Sequence, residues 1–352
     1  MPFEGVIGHQ MVLDMLASDL SLPAQAYLFV GPSNVGKATV ARRFAAAVVA
    51  DGDPDVLRRA LDGNHPDVIS VAPEGRSSIT VDQARAIVSE AARSPLEADT
   101  KVFLLEEASL LNDEAANALL KTIEEPIGST RFLLVAESED DLPPTIASRC
   151  RTIVFGRVSE PDIEKGLAAG GLNSTAAGQV ARIAGGRPGL AIALATESQV
   201  ASYREVWLSV PERLTGHPGD AYLAVAEIMA ATEPLLEAVK RRQADEIETS
   251  YPDGNSPKVV SERHQREMGR SSDALYVTGL ELLASVYRDV AAAQFGSPVQ
   301  NADVPMSTLT RIDAGRAIGH VDRVMEAIEA LEANQRPQLA LASLFVDLGS
   351  DG

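Results

Sequence analysis

One cysteine, Cys150, stands in 352 residues. A disulfide within the chain is excluded, and no second thiol is available to build a thiolate zinc site with it. A reducing compartment, the cytoplasm, is the expectation. Long apolar runs are missing as well: no uncharged apolar stretch approaches the roughly 20 residues that span a bilayer. Residues 1–5 also lack a basic segment leading into an apolar one. No membrane attachment is expected. Basic charge is scarce, with 31 Lys and Arg against 50 Asp and Glu and a net charge of -19. The deficit is not a tail. Residues 1–155 carry 13 basic against 23 acidic side chains, and residues 156–352 carry 18 against 27. So acidic a chain repels phosphate backbones at long range, and any DNA it serves must be held mainly by partners.

What is present is the composition of a soluble globular protein, 45% hydrophobic and 23% charged. The length exceeds one ordinary core and suggests two or three domains. Up to residue 155, β-rich runs at 26–30, 67–71, 102–105, 131–136 and 151–155 alternate with helical patterns. This predicts an α/β domain with a parallel five-stranded sheet. Several runs are apolar on consecutive residues, as strands covered on both faces must be. The best marked helix starts at a cap, Asn112, continues through Ala115, Ala116, Leu119, Leu120 and Ile123, and is ended by Pro126. Beyond Phe155 only helical spacing remains. The expected division is 1–156 for the α/β domain, 157–200 for a small helical lid and 201–352 for an all-helical C-terminal domain. Residues 249–269, polar and without periodicity, read as an exposed loop. No repeat of solenoid period is evident.

Directly after the first strand comes Gly31-Pro32-Ser33-Asn34-Val35-Gly36-Lys37-Ala38-Thr39, then a helical pattern through Val40, Ala41, Phe44 and Val48. This is a phosphate loop in the strand, loop, helix context it requires. Glycines let backbone N–H groups face phosphate, the helix N-terminus adds positive potential, and the lysine reaches the terminal phosphates. The residue after the lysine should carry a hydroxyl for Mg²⁺, and it is Ala38. Thr39 is no substitute, because neighbouring helical residues point roughly 100° apart. The third strand ends in Glu106-Glu107, where an Asp for the metal and a Glu for the attacking water would be expected. Glu106 is a methylene too long, and octahedral Mg²⁺ tolerates little change of reach. ATP with Mg²⁺ is the cofactor these motifs point to, held weakly or not at all.

Three further blocks carry a resemblance. Leu104-Leu105-Glu106-Glu107-Ala108, Asn117-Ala118-Leu119-Leu120-Lys121-Thr122-Ile123-Glu124-Glu125-Pro126 and Pro144-Thr145-Ile146-Ala147-Ser148-Arg149-Cys150 together resemble the clamp-loader branch of the AAA+ ATPases, most closely its delta-prime subunits of bacterial DNA polymerase III. Val6-Ile7-Gly8-His9-Gln10 is similar to the family segment near the adenine, and Gly185-Gly186-Arg187-Pro188-Gly189 to the start of the lid's sensor-2 helix. Ala333-Asn334-Gln335-Arg336-Pro337-Gln338-Leu339-Ala340-Leu341 resembles the last helices of the collar that joins subunits into a ring. The match covers residues 1–200 well and 300–350 fairly, and leaves 200–300 unmatched.

The resemblance implies an AAA+ phosphate-loop domain, a lid and a collar, working in a hetero-oligomeric ring with gamma/tau and delta-type subunits, a sliding clamp and primed DNA. It implies a subunit of a DNA polymerase holoenzyme whose polymerising activity lies elsewhere. Delta-prime members often have degraded phosphate and metal motifs, as Ala38 and Glu106 suggest here, and Ala136 stands where active members more often carry a polar sensor. Gly31, Gly36, Lys37, Ala38, Thr39, Glu106, Glu107 and Arg187 form the degenerate nucleotide site. Arg149 is then an arginine finger, a rigid fork of permanent charge offered to a neighbour's terminal phosphate; a surface ion pair is the plain alternative. The four-cysteine zinc module of many relatives has no counterpart in residues 51–66, where His65 alone makes no zinc site, so no structural metal is expected. Two other functions stay open: an active gamma-type ATPase, and an assembly scaffold in which Arg149 is inert.

Overall fold

The computed structural model describes residues 2–73, 78–125, 128–250, 258–301, 304–333 and 335–350. These divide into two compact units, residues 1–170 with 186–189 and 246–266, and residues 171–185 with 190–245 and 267–352. Residues 157–200, expected to form a lid, are therefore shared between the two.

In the first unit the elements run α1 (Gln10–Asp19), β1 (Ala26–Val30), α2 (Lys37–Ala50), α3 (Pro54–Leu61), β2 (Val68–Val71), α4 (Val81–Ala91), β3 (Lys101–Leu105), α5 (Asp113–Glu124), β4 (Thr130–Val135), α6 (Pro144–Ala147), β5 (Arg151–Val154) and α7 (Glu160–Ala169). The strands form one sheet in the order β2-β3-β4-β1-β5 with every pairing parallel. This is the expected α/β class, with strands starting or stopping within a residue of the apolar runs.

The inner strands explain the continuous apolar runs. Ala26, Leu28 and Val30 of β1 enter a core with α4 and α5, whereas Tyr27 and Phe29 enter a second core with α1 and α2. Both faces are covered, so alternation has nothing to mark. The edge strand β5 leaves Val154 exposed. Asn112 caps α5 by accepting from the Ala115 N–H at 2.8 Å. Pro126, expected to end that helix, lies outside the described residues.

Asp67, read as the first residue of β2, serves another purpose. Its fully buried carboxylate accepts the backbone N–H groups of Leu96, Glu97 and Ala98 at 2.7, 2.8 and 2.9 Å. Burial alone would raise its pKa, but these three donors outweigh burial and hold it below the usual carboxylate range. A depressed carboxyl stabilises the fold above the unfolded value, about 4, and loses that contribution as pH falls through the folded value. Asp67→Ala is expected to cost about 1–3 kcal/mol at pH 7. Denaturant midpoints at pH 7 and pH 3 test this: the gap between variant and parent should narrow at pH 3, and an equal gap at both would refute it.

The second unit is helical: α8 (Ser174–Ala184), α9 (Pro188–Leu194, which begins in the first unit), α10 (Val200–Leu208), α11 (Val210–Arg213), α12 (Pro218–Ser250, which belongs to the first unit from residue 246), α13 (Lys258–Gln294, which belongs to the first unit through Arg266), α14 (Met306–Leu309), α15 (Ala314–Glu332) and α16 (Pro337–Ser350). Trp207 of α10 seats on α13 where Gly279 has no side chain; a Cβ there would stand 2.0 Å from the indole. The reading of 249–269 as a loop is corrected. Residues 258–269 are the first turns of α13, and only 251–257 lie outside the described residues. The buried face of those turns and the next holds Val260, His264 and Ser271. Two of these three are polar residue types, so the helical period carried no apolar signal.

Candidate functional site

The carboxyl ends of β1, β4 and β3 lie side by side, and the residues just beyond these strand ends form the site. In doubly wound sheets this edge is where ligands bind. Gly31 leaves β1 with φ 144, a backbone state that excludes side chains, and a Cβ there would meet the Phe155 carbonyl oxygen at 2.1 Å. Asn34 and Gly36 also have positive φ, 61 and 105. Gly36 then caps α2, whose first residue is Lys37. The loop thus has the turn and helix start of a phosphate cradle.

Its contents are different. Lys37, 7% exposed, turns its ammonium back onto the loop and donates to the carbonyls of Gly31 and Pro32 at 2.5 and 2.6 Å. Ala38 has no hydroxyl, and Thr39 is exposed, away from the buried face of α2. From above the loop, Gly189 donates its N–H to the Asn34 carbonyl at 3.0 Å. His9 Nε2 stands 2.9 Å from the Val35 carbonyl, so the segment 6–10 does reach the phosphate loop. Arg187, expected at the start of a sensor helix, is buried just before α9.

The two acidic residues after β3 are each matched by an arginine. Arg42, about one and a half turns after Lys37 on α2, donates from Nε and Nη2 to both carboxylate oxygens of Glu106 at 2.5 and 3.0 Å. Glu107, 8% exposed, has Oε2 at 2.5 Å from Nε of Arg266 in α13. The Arg266 contact is one of charge, since that Nε makes no directed hydrogen bond. Ala136, after β4, is buried in the apolar core. These residues do not fit a magnesium ion: one expected hydroxyl is a methyl group, and a cation near Glu106 would have to displace a bidentate guanidinium. Neither arginine was found by motif. Arg42 belongs to no motif, and Arg266 lies in the unmatched stretch of the sequence.

Arg149 is not part of this cluster. It comes after α6, with its backbone N–H on the Ile146 carbonyl at 3.0 Å. Its Nη1 donates to the Thr145 carbonyl at 2.8 Å and its Nε lies 3.1 Å from Oε2 of Glu124, at the end of α5. The side chain is 34% exposed. Next to it, burial pushes the Cys150 thiol up to about 12, which leaves it a small apolar filler and not a nucleophile.

Residues 9–159 match the family model described as DNA polymerase III, delta subunit. A DNA polymerase III subunit delta-prime from Pseudomonas aeruginosa is 39% identical over 136 residues, 36% of this chain and 42% of that protein. The Bacillus subtilis subunit delta-prime is 34% identical over 151 residues, 41% of this chain and 46% of its own length. The segment 9–159 is similar to the delta-prime subunits. The tau subunit of Escherichia coli also matches, 35% identical over 158 residues, 42% of this chain and 24% of that subunit. In each case the chain spans less than half the length of the relative. Among solved structures, a DNA polymerase III gamma subunit-related protein from Thermotoga maritima aligns over 96% of this chain and 98% of its own, at 17% identity and a TM-score of 0.40. The α/β class of this segment rests on its own strand order and register.

Proposed function

We propose that the chain is a delta-prime-type subunit of a clamp loader, taking part in placing a ring-shaped clamp on primed DNA without hydrolysing ATP itself. Its partners are gamma/tau and delta-type subunits, the sliding clamp, and DNA held mainly by those partners, in the cytoplasm. The observation that carries the reading is the pairing of both site carboxylates, Glu106 with Arg42 and Glu107 with Arg266. A carboxylate held by a guanidinium supplies neither a metal ligand nor a base for water. By family resemblance, Arg149 is lent to the neighbour's ATP. Lys37, Gly31, Gly36 and Arg187 keep the shape of the nucleotide site, and nucleotide held there would be bound weakly.

The test is turnover by the isolated chain with ATP and Mg²⁺, beside Ala38→Thr. Neither is expected to exceed a blank, because a restored hydroxyl still leaves Glu106 and Glu107 engaged. Hydrolysis by the parent would make it a gamma-type ATPase. Hydrolysis by Ala38→Thr alone would show that the arginine pairs do not disable the site. One observation favours a scaffold role instead: Arg149 already has an ion-pair partner in Glu124.

A further inference from the structure

We propose that Glu124 is a positioning residue for Arg149, which it holds with one guanidinium edge directed outward; this rests on the reading of Arg149 as a finger. The placement of Glu124 has no local reason. It is the last residue of α5, where the negative end of the helix dipole disfavours a carboxylate. It is also half exposed, and an exposed ion pair contributes little stability. What the pair does is geometric. The backbone of Arg149 is fixed by its N–H bond to Ile146 and by the neighbouring Cys150 N–H on the Ala147 carbonyl. Only side-chain rotation is left. Nη1 donates to the Thr145 carbonyl and Nε lies 3.1 Å from Glu124 Oε2, a contact of charge without a directed hydrogen bond, so the two together hold the planar guanidinium against the end of α5. Among the described residues Nη2 has no partner of its own.

An arginine held this way loses less rotamer freedom when it meets a phosphoryl group than one that must be ordered on contact. Glu124 therefore acts on the neighbour's turnover through Arg149, without touching ATP.

The experiment compares clamp loaders reconstituted with the parent chain, Glu124→Ala, Glu124→Asp and Arg149→Ala, measuring stimulated ATPase together with the melting midpoint of each chain. Glu124→Ala should lower kcat by about tenfold, with KM for ATP little changed, the melting midpoint at the parent's value, and Glu124→Asp recovering part of the loss. If Arg149→Ala abolishes the rate while Glu124→Ala matches the parent, Glu124 does not position the finger, although the finger stands. A faster rate for Glu124→Ala would mean that the pair restrains the arginine, and also overturns the proposal. If Arg149→Ala has no effect, the finger reading falls and the positioning role falls with it.

Discussion

Arg149→Ala in a reconstituted clamp loader is expected to lower the DNA- and clamp-stimulated ATPase rate by about 10³–10⁵-fold. Assembly and the melting midpoint should stay where they are. The size comes from where the charge acts. A guanidinium that meets the transferring phosphoryl group stabilises charge that builds only in the transition state, so its loss appears in turnover and not in binding. The small effect on stability comes from exposure: a third of the side chain is open, and its pair with the half-exposed Glu124 lies in a solvent-screened setting. Loader ATPase and complex formation by gel filtration, measured on the same preparations, separate the readings. An unchanged rate would make the chain a scaffold. Loss of the complex together with the rate would make Arg149 an assembly residue.

Gly31→Ala is expected to destabilise the first unit by about 3 kcal/mol, whereas Gly36→Ala costs about 1. Both glycines have positive φ. The difference is space: a Cβ on Gly31 would press on the Phe155 carbonyl at 2.1 Å, and one on Gly36 meets nothing within 4 Å. The backbone around Gly31 cannot yield easily. Its N–H bonds the Glu137 carbonyl, and the Phe155 N–H bonds the carbonyl of Val30 beside it. The first glycine of the loop therefore has a reason to persist in a site whose carboxylates are engaged, because it lets β5 join β1. Denaturant midpoints of the two variants decide the matter, and equal losses would refute the steric account.

The sheet was legible because its signal is local. Strands buried on both faces must be apolar on consecutive residues, as β1 and β3 are, and the cap of α5 is a side-chain bond across three residues. The phosphate loop was legible for the same reason, since strand, glycines and lysine lie within a dozen positions. Residues 249–269 misled because α13 buries His264 and Ser271 on the face where an apolar period would be sought. Asp67 misled because its three partners lie 29 to 31 residues on, in a turn with no motif of its own.

By itself, the sequence determined two departures from the expected site: Ala38 offers a methyl group where a hydroxyl ligand would stand, and Glu106 is one methylene longer than an aspartate. It also determined the α/β class, because hydrophobic period and turn residues act between near neighbours. Only the tertiary structure decided what the remaining charges do. Arg42 is 64 residues from Glu106, Arg266 is far beyond Glu107, and Glu124 is in a separate element from Arg149. Ion pairs form between whichever charged groups the fold brings within about 4 Å, and separation along the chain carries no record of that distance.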